Sequence, residues 1–146
     1  MIQVRKNLRE LAAVAAAMLV AASFAIPAFN GYIERARVSR AVSDIGTLGL
    51  QLYRWQRKTN ALPTSLAEAG LAGVDPWGRP YIYLRAADTS QTRLRKDAEL
   101  VPLNTDFDLY SLGPDGESAL ALPATQSRDD VVRAANGAYI GVAKNY

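Results

Sequence analysis

Leu11-Ala-Ala-Val-Ala-Ala-Ala-Met-Leu-Val-Ala-Ala-Ser-Phe-Ala-Ile-Pro-Ala-Phe29 is a run of nineteen residues without a single charge. A bilayer core of about 30 Å needs about 20 apolar residues in a helix, so this run is long enough to span one. The residues that follow keep helical spacing. Val38, Ala41, Val42, Ile45, Leu48, Leu52 and Trp55 recur every three or four positions, the stripe of a one-sided helix. Asn7 to Lys58 therefore predict one rod of about 75 Å at 1.5 Å per residue, half suited to lipid and half to water. The stripe must be buried on something, either the rest of the chain or copies of it.

Working outward, the pattern predicts four segments: a short basic N-terminus at 1–10, a transmembrane half-helix at 11–29, an amphipathic half-helix at 30–60, and a small β-rich domain at 61–146. About 85 residues remain after the rod, enough for one modest core. The 146-residue chain has no cysteine and no histidine. That excludes disulfides, thiol nucleophiles, His-ligated zinc and imidazole acid–base catalysis. A net charge of +3 is a mild basic bias rather than a nucleic-acid signature.

Arg5, Lys6 and Arg9 precede the apolar run, which favours a cytoplasmic N-terminus and places the C-terminal part outside the cytoplasm. Arg35, Arg37 and Arg40 follow it and partly cancel that bias. A cleaved secretory signal competes, because Ser23-Phe-Ala25 has small residues where cleavage would want them. The helical continuation favours the anchor.

Within the rod, Pro27 removes the helix bond to the carbonyl of Ser23, at a cost of about 3 kcal/mol in a helix interior. Gly46 and Gly49 each cost about 1 kcal/mol against Ala. They read either as tolerated imperfections or as points of close helix–helix approach. Glu10 lies at the edge of the apolar run, where an unpaired carboxylate is expensive. Pairing with Lys6, four residues earlier, or exposure at the headgroups would relieve it.

The rod should break at Thr59-Asn60-Ala-Leu-Pro63, with Asn60 in a left-handed cap. Thr64 or Ser65 then caps a single turn, Leu66 to Ala69, stopped by Gly70. Asp75-Pro76-Trp77-Gly78 has the preferences of a type I turn. Tyr81 to Leu84 reads as a strand, 86–92 as a polar loop, 93–103 as a weaker returning strand, and Phe107 to Ser111 as a firm one. Gly113-Pro114-Asp115-Gly116 closes that strand with a turn. Trp77 and Tyr81 read as core. The fold class is α+β, a long helix packed on a small antiparallel sheet.

Glu10, Pro27 and the basic amphipathic helix after them resemble the N-terminus of type IV pilins and type II secretion pseudopilins. Leu8, Glu10 and Leu11 fit that pattern, while Arg5 and Lys6 stand where the family carries a Gly-Phe cleavage site. The Asp-Pro-Trp-Gly turn and Phe107-Asp-Leu-Tyr-Ser-Leu-Gly-Pro-Asp-Gly116 are similar to the major pseudopilin of type II secretion, and the likeness covers roughly residues 6 to 130. The resemblance implies a pilin-like lollipop in which Glu10 and Pro27 serve assembly. It also implies a calcium ion held by the Leu112 carbonyl, Asp115, Asp129 and Asp130. The residues themselves leave a second reading open. Ser127 with Asp130 forms a capping box for a short helix ending at Asn136-Gly137, with no metal.

The expectation is a non-enzymatic filament subunit in the inner membrane, single-pass, with a periplasmic C-terminal domain. Its partners would be copies of itself, other pseudopilins and an inner-membrane assembly platform, in the service of protein export. An adhesive or motility pilin, and a soluble periplasmic calcium-binding module released by signal cleavage, are the alternatives. Arg54, Arg57 and Lys58 read as a solvated helix face rather than a DNA contact. Asp106 with Asp108, or Asp129 with Asp130, would make a glycosidase pair only beside an apolar pocket that raises one pKa.

Overall fold

The computed structural model describes residues 2–90 and 92–146; among these, the side chains of residues 2–9, 12, 22 and 24 lie outside the description. The expected pairing of Glu10 with Lys6, and the basic flank of Arg5, Lys6 and Arg9, fall on those side chains. One long helix, α1, runs Ile2–Thr59. The chain divides into two compact units, Met1–Ala36 and Arg37–Tyr146.

In the first unit the apolar run is helical and open to its surroundings: Leu11 is 67%, Met18 65% and Phe29 64% exposed. It is long and apolar enough to cross a membrane, a property that a signal sequence shares. Pro27 sits inside the helix without ending it. Just before it, the Ser23 hydroxyl bonds back to the Val20 carbonyl at 2.7 Å.

In the second unit, four short strands follow the helix: β1 Ile82–Arg85, β2 Phe107–Ser111, β3 Val131–Ala134 and β4 Tyr139–Val142. They form one antiparallel sheet in the order β1-β2-β3-β4. The register pairs Ile82 with Tyr110, Ser111 with Val131 and Val131 with Val142. The expected stripe is buried here, by the chain's own sheet. Ala41, Ile45 and Leu52 pack with Leu66, Tyr81, Phe107, Leu109 and Val131, and Trp77 lies against the same core. A Cβ on Gly46 would make ordinary contact with Ile140 at 3.6 Å, and one on Gly49 would meet nothing within 4 Å among the described residues.

The predicted punctuation is present. Asn60 has φ 60° and Gly70 φ 68°. Ser65 accepts the Glu68 N–H while Glu68 reaches back to the Thr64 N–H, a reciprocal cap on that single turn. The Asp75 carboxylate accepts the Trp77 and Arg79 N–H groups and the Ser111 hydroxyl, which ties its turn to the end of β2.

Two expectations are corrected. Residues 93–103 form no strand; only isolated bridges join Lys96 to Pro102 and to Ala121. This segment instead covers the second face of the sheet, where Leu103 and Leu122 pack with Val132, Ala134 and Ala143. The capped helix from Ser127 to Gly137 is likewise absent. Ser127 bonds to both backbone groups of Ala119, and Val131 to Val142 is a β-hairpin. Its turn places Ala135, Asn136 and Gly137 at φ 50°, 53° and 91°. The Asn104 side-chain Oδ1, which accepts the Asn136 N–H, and the Thr105 N–H and hydroxyl, which meet Asn136 Oδ1, secure Asn136. Val-Val followed by Asn-Gly and Tyr-Ile-Gly-Val carries the β-branched and turn chemistry of a hairpin, and here it outweighs the capping box.

Candidate functional site

The acidic turn after β2 is built by close backbone packing. Gly113 has φ +63°, and a Cβ on it would lie 2.4 Å from the Asp129 carbonyl oxygen, so only glycine lets the turn lie on that backbone. The Asp115 N–H then donates to Asp129 Oδ2 at 3.2 Å, and the Gly116 N–H donates to the Leu112 carbonyl at 3.2 Å. Asp115 Oδ1 accepts the Glu117 N–H at 2.8 Å. Arg79 clamps the outer side through the carbonyls of Gly113 and Pro114. Three of the four expected calcium donors, Leu112, Asp115 and Asp129, are thus gathered at one turn.

Asp130 is not. Its side chain is fully buried and pairs with Arg95 at 2.6 Å, while the Ser118 hydroxyl donates to the same oxygen at 2.7 Å. Burial pushes its carboxyl up to about 6, against the pull of Ser118 and Arg95. Among the described residues, its second oxygen and Arg95 Nε have no hydrogen-bond partner. Arg95 also stacks over the Tyr110 ring at 4.6 Å. Leu112, Asp115 and Asp129 thus share one turn, where their oxygens accept backbone N–H groups, while Asp130 faces the arginine. Among the described residues, no three acidic side chains converge as a metal-holding group.

A second polar cluster went unread in the sequence. Arg133, on β3, is 2% exposed, yet it holds Asp106 by both oxygens at 2.9 and 2.7 Å. It also donates to the Tyr53 hydroxyl at 2.6 Å, the Phe107 carbonyl at 2.9 Å and Asn104 at 3.2 Å. Its guanidinium lies 4.0 Å over the Phe107 ring. Burial raises the Asp106 carboxyl, but its hydrogen bonds with Arg133, the Phe107 N–H and Tyr53 more than offset this and hold it below the ordinary range. Asp108 accepts the Arg95 N–H and an Asn104 amide, and burial pushes its carboxyl up. Asp106 and Asp108 thus each accept hydrogen bonds from within the domain. Arg133 lies on β3, whose four residues are all buried, and Arg95 lies in a loop, so apolar periodicity marks neither as buried.

The apolar face of α1 is the other candidate. From Leu11 to Phe29 it offers no polar side chain except Ser23, whose hydroxyl is bonded to its own helix. Such a surface is at home in lipid or against other apolar helices. No protein-family model, curated protein or solved structure matches the chain.

Proposed function

We propose that the chain is a non-enzymatic structural subunit of a type IV pilus-like filament, a pseudopilin of the kind that type II secretion assembles for protein export. One observation carries this reading. The amphipathic stripe is covered by the chain's own sheet, whereas the charge-free run 11–29 is left exposed along the same helix. That run needs an apolar environment: the inner membrane before assembly, and the helices of neighbouring copies after it. In this reading the N-terminus is cytoplasmic and residues 37–146 are periplasmic. Other pseudopilins and an inner-membrane platform are the assembly partners. Calcium at Leu112, Asp115 and Asp129 stiffens the turn.

Glu10 and Pro27 have assembly roles. A carboxylate drawn into an apolar filament core needs a neighbour's cation, from its N-terminus or from Arg9 or Lys6. Pro27 has already removed one helix bond, so local unwinding between Ser23 and Gly31 on assembly is cheap there. Two measurements test the reading. Mass spectrometry of the membrane-extracted chain should find residues 11–29 retained; cleavage after Ala25 refutes the anchor. Glu10→Ala should remain in the membrane and lose filaments by electron microscopy; normal filament yield refutes the pairing.

A further inference from the structure

Charge is unevenly divided along this chain. Residues 30–60 carry six basic and two acidic side chains, and residues 61–146 carry eight basic and eleven acidic ones. Two small surfaces of the Arg37–Tyr146 unit carry side chains of opposite sign, Arg54 and Arg57 on one and Glu99, across a hollow from Arg128 and Lys144, on the other. On the exposed side of α1, Leu50 is 63% exposed beside Arg54 and Arg57. Together with Tyr53 they line a hollow of about 350 Å³. On the loop after β1, Glu99 and Val101 flank Leu100, which is 63% exposed and held at φ 62°. A leucine in the left-handed region costs about 1 kcal/mol or more and persists only where its surroundings enforce it. Here Asp97 enforces it. Its Oδ1 accepts the Glu99 and Val101 N–H groups, its own N–H donates to the Val101 carbonyl, and its carbonyl accepts the Leu100 N–H. The result is a rigid apolar knob with a carboxylate at its rim. Among the described residues, Arg54, Arg57 and Glu99 make no ion pair.

We propose that copies of this chain dock head to tail, the Glu99–Leu100–Val101 knob of one entering the Leu50–Arg54–Arg57 hollow of the next. The hollow and the knob each pair an apolar centre with a charged rim, and their charges are opposite. They are different patches on one molecule, so in the proposed head-to-tail arrangement the contact is heterologous and propagates, whereas a reciprocal exchange would stop at a dimer. This rests on the filament reading and names a specific contact within it.

The absence of cysteine makes the test direct. Gln56→Cys borders the hollow and Ala98→Cys borders the knob, and neither removes a charge named above. The full-length double variant, in its membrane and treated with a short bismaleimide, should give a ladder of dimers, trimers and longer species. Each single variant should give none. In the double-cysteine background, Arg54→Glu or Glu99→Arg should each cut the species beyond dimer about tenfold, and the combined swap should restore them to within about twofold. A separate Met18→Cys variant reports packing of the apolar helices. Met18 cross-links without the 56–98 ladder would overturn this contact and leave the filament reading standing. Loss of both would overturn the two together. Dimers from either single variant, a cross-linked band of another mass, or failure of the combined swap would also overturn it.

Discussion

Replacing Arg133 with methionine tests whether the cluster read from the structure holds the sheet to the helix within residues 37–146. Methionine keeps most of the side-chain volume and removes every charge-assisted bond. The variant leaves Asp106 facing the Tyr53 hydroxyl and the Phe107 N–H without its cation, and strands the Phe107 carbonyl and the Asn104 oxygen from that donor. Removing one partner of a buried ion pair costs about 3–5 kcal/mol. Asp106 is 22% exposed, so water recovers part of this and about 3 kcal/mol is expected. Each kcal/mol moves the midpoint of a domain this size by about 4 °C, so the thermal transition should fall by about 12 °C. Arg133→Lys should recover part of the loss, because one ammonium cannot replace the two-pronged contact. Circular dichroism melts and urea titrations of the full chain in mild detergent measure both. The Asp106 carboxyl titrates below its unfolded value, so its contribution is complete above pH 3.8 and is lost as pH falls through the lower folded value. The gap between wild type and Arg133→Met should therefore be constant from pH 5 to 8 and close only in strong acid. A loss under about 1 kcal/mol, or a gap that closes near neutrality, would refute the reasoning.

Asp130 should behave with the opposite sign. Its folded value is raised from 3.8 to about 6, so its contribution is complete below 3.8 and is lost as pH rises through about 6; Asp130→Asn should flatten that part of the urea-stability profile. Calcium at a hundred times its dissociation constant should stabilise the chain by about 2.7 kcal/mol in melts against chelator, and Asp115→Ala should abolish the shift. Identical melts would refute the site. Gly113→Ala should cost about 1–3 kcal/mol in urea titrations, because the new Cβ meets the Asp129 carbonyl and the positive φ is strained.

The long helix, its exposed apolar half and its buried stripe were legible from residue spacing, because a 3.6-residue period declares which side seeks cover. The caps at Asn60 and Gly70 and the Asp75 turn were legible too, each depending on the chemistry of one or two adjacent residues. Local chemistry misled where two signals overlapped. Ser127 and Asp130 satisfy a capping pattern, yet Val131 and Val132 join β2 and β4, and strand pairing across the sheet decided the outcome. The covering segment 93–103 was misread for a related reason, since its apolar residues answer the far face of the sheet and not a neighbouring strand. Linear order also set Asp129 and Asp130 side by side as equal donors. Tertiary structure separated them: the turn that leads into β3 carries Asp130 inward to Arg95, thirty-five residues away, and leaves Asp129 at the turn of Asp115. Residue spacing alone dictated where apolar surface must be hidden. Which carboxylate meets Arg95, and which stays at the turn of Asp115, depended on contacts between segments far apart in the chain, and no local period encodes those.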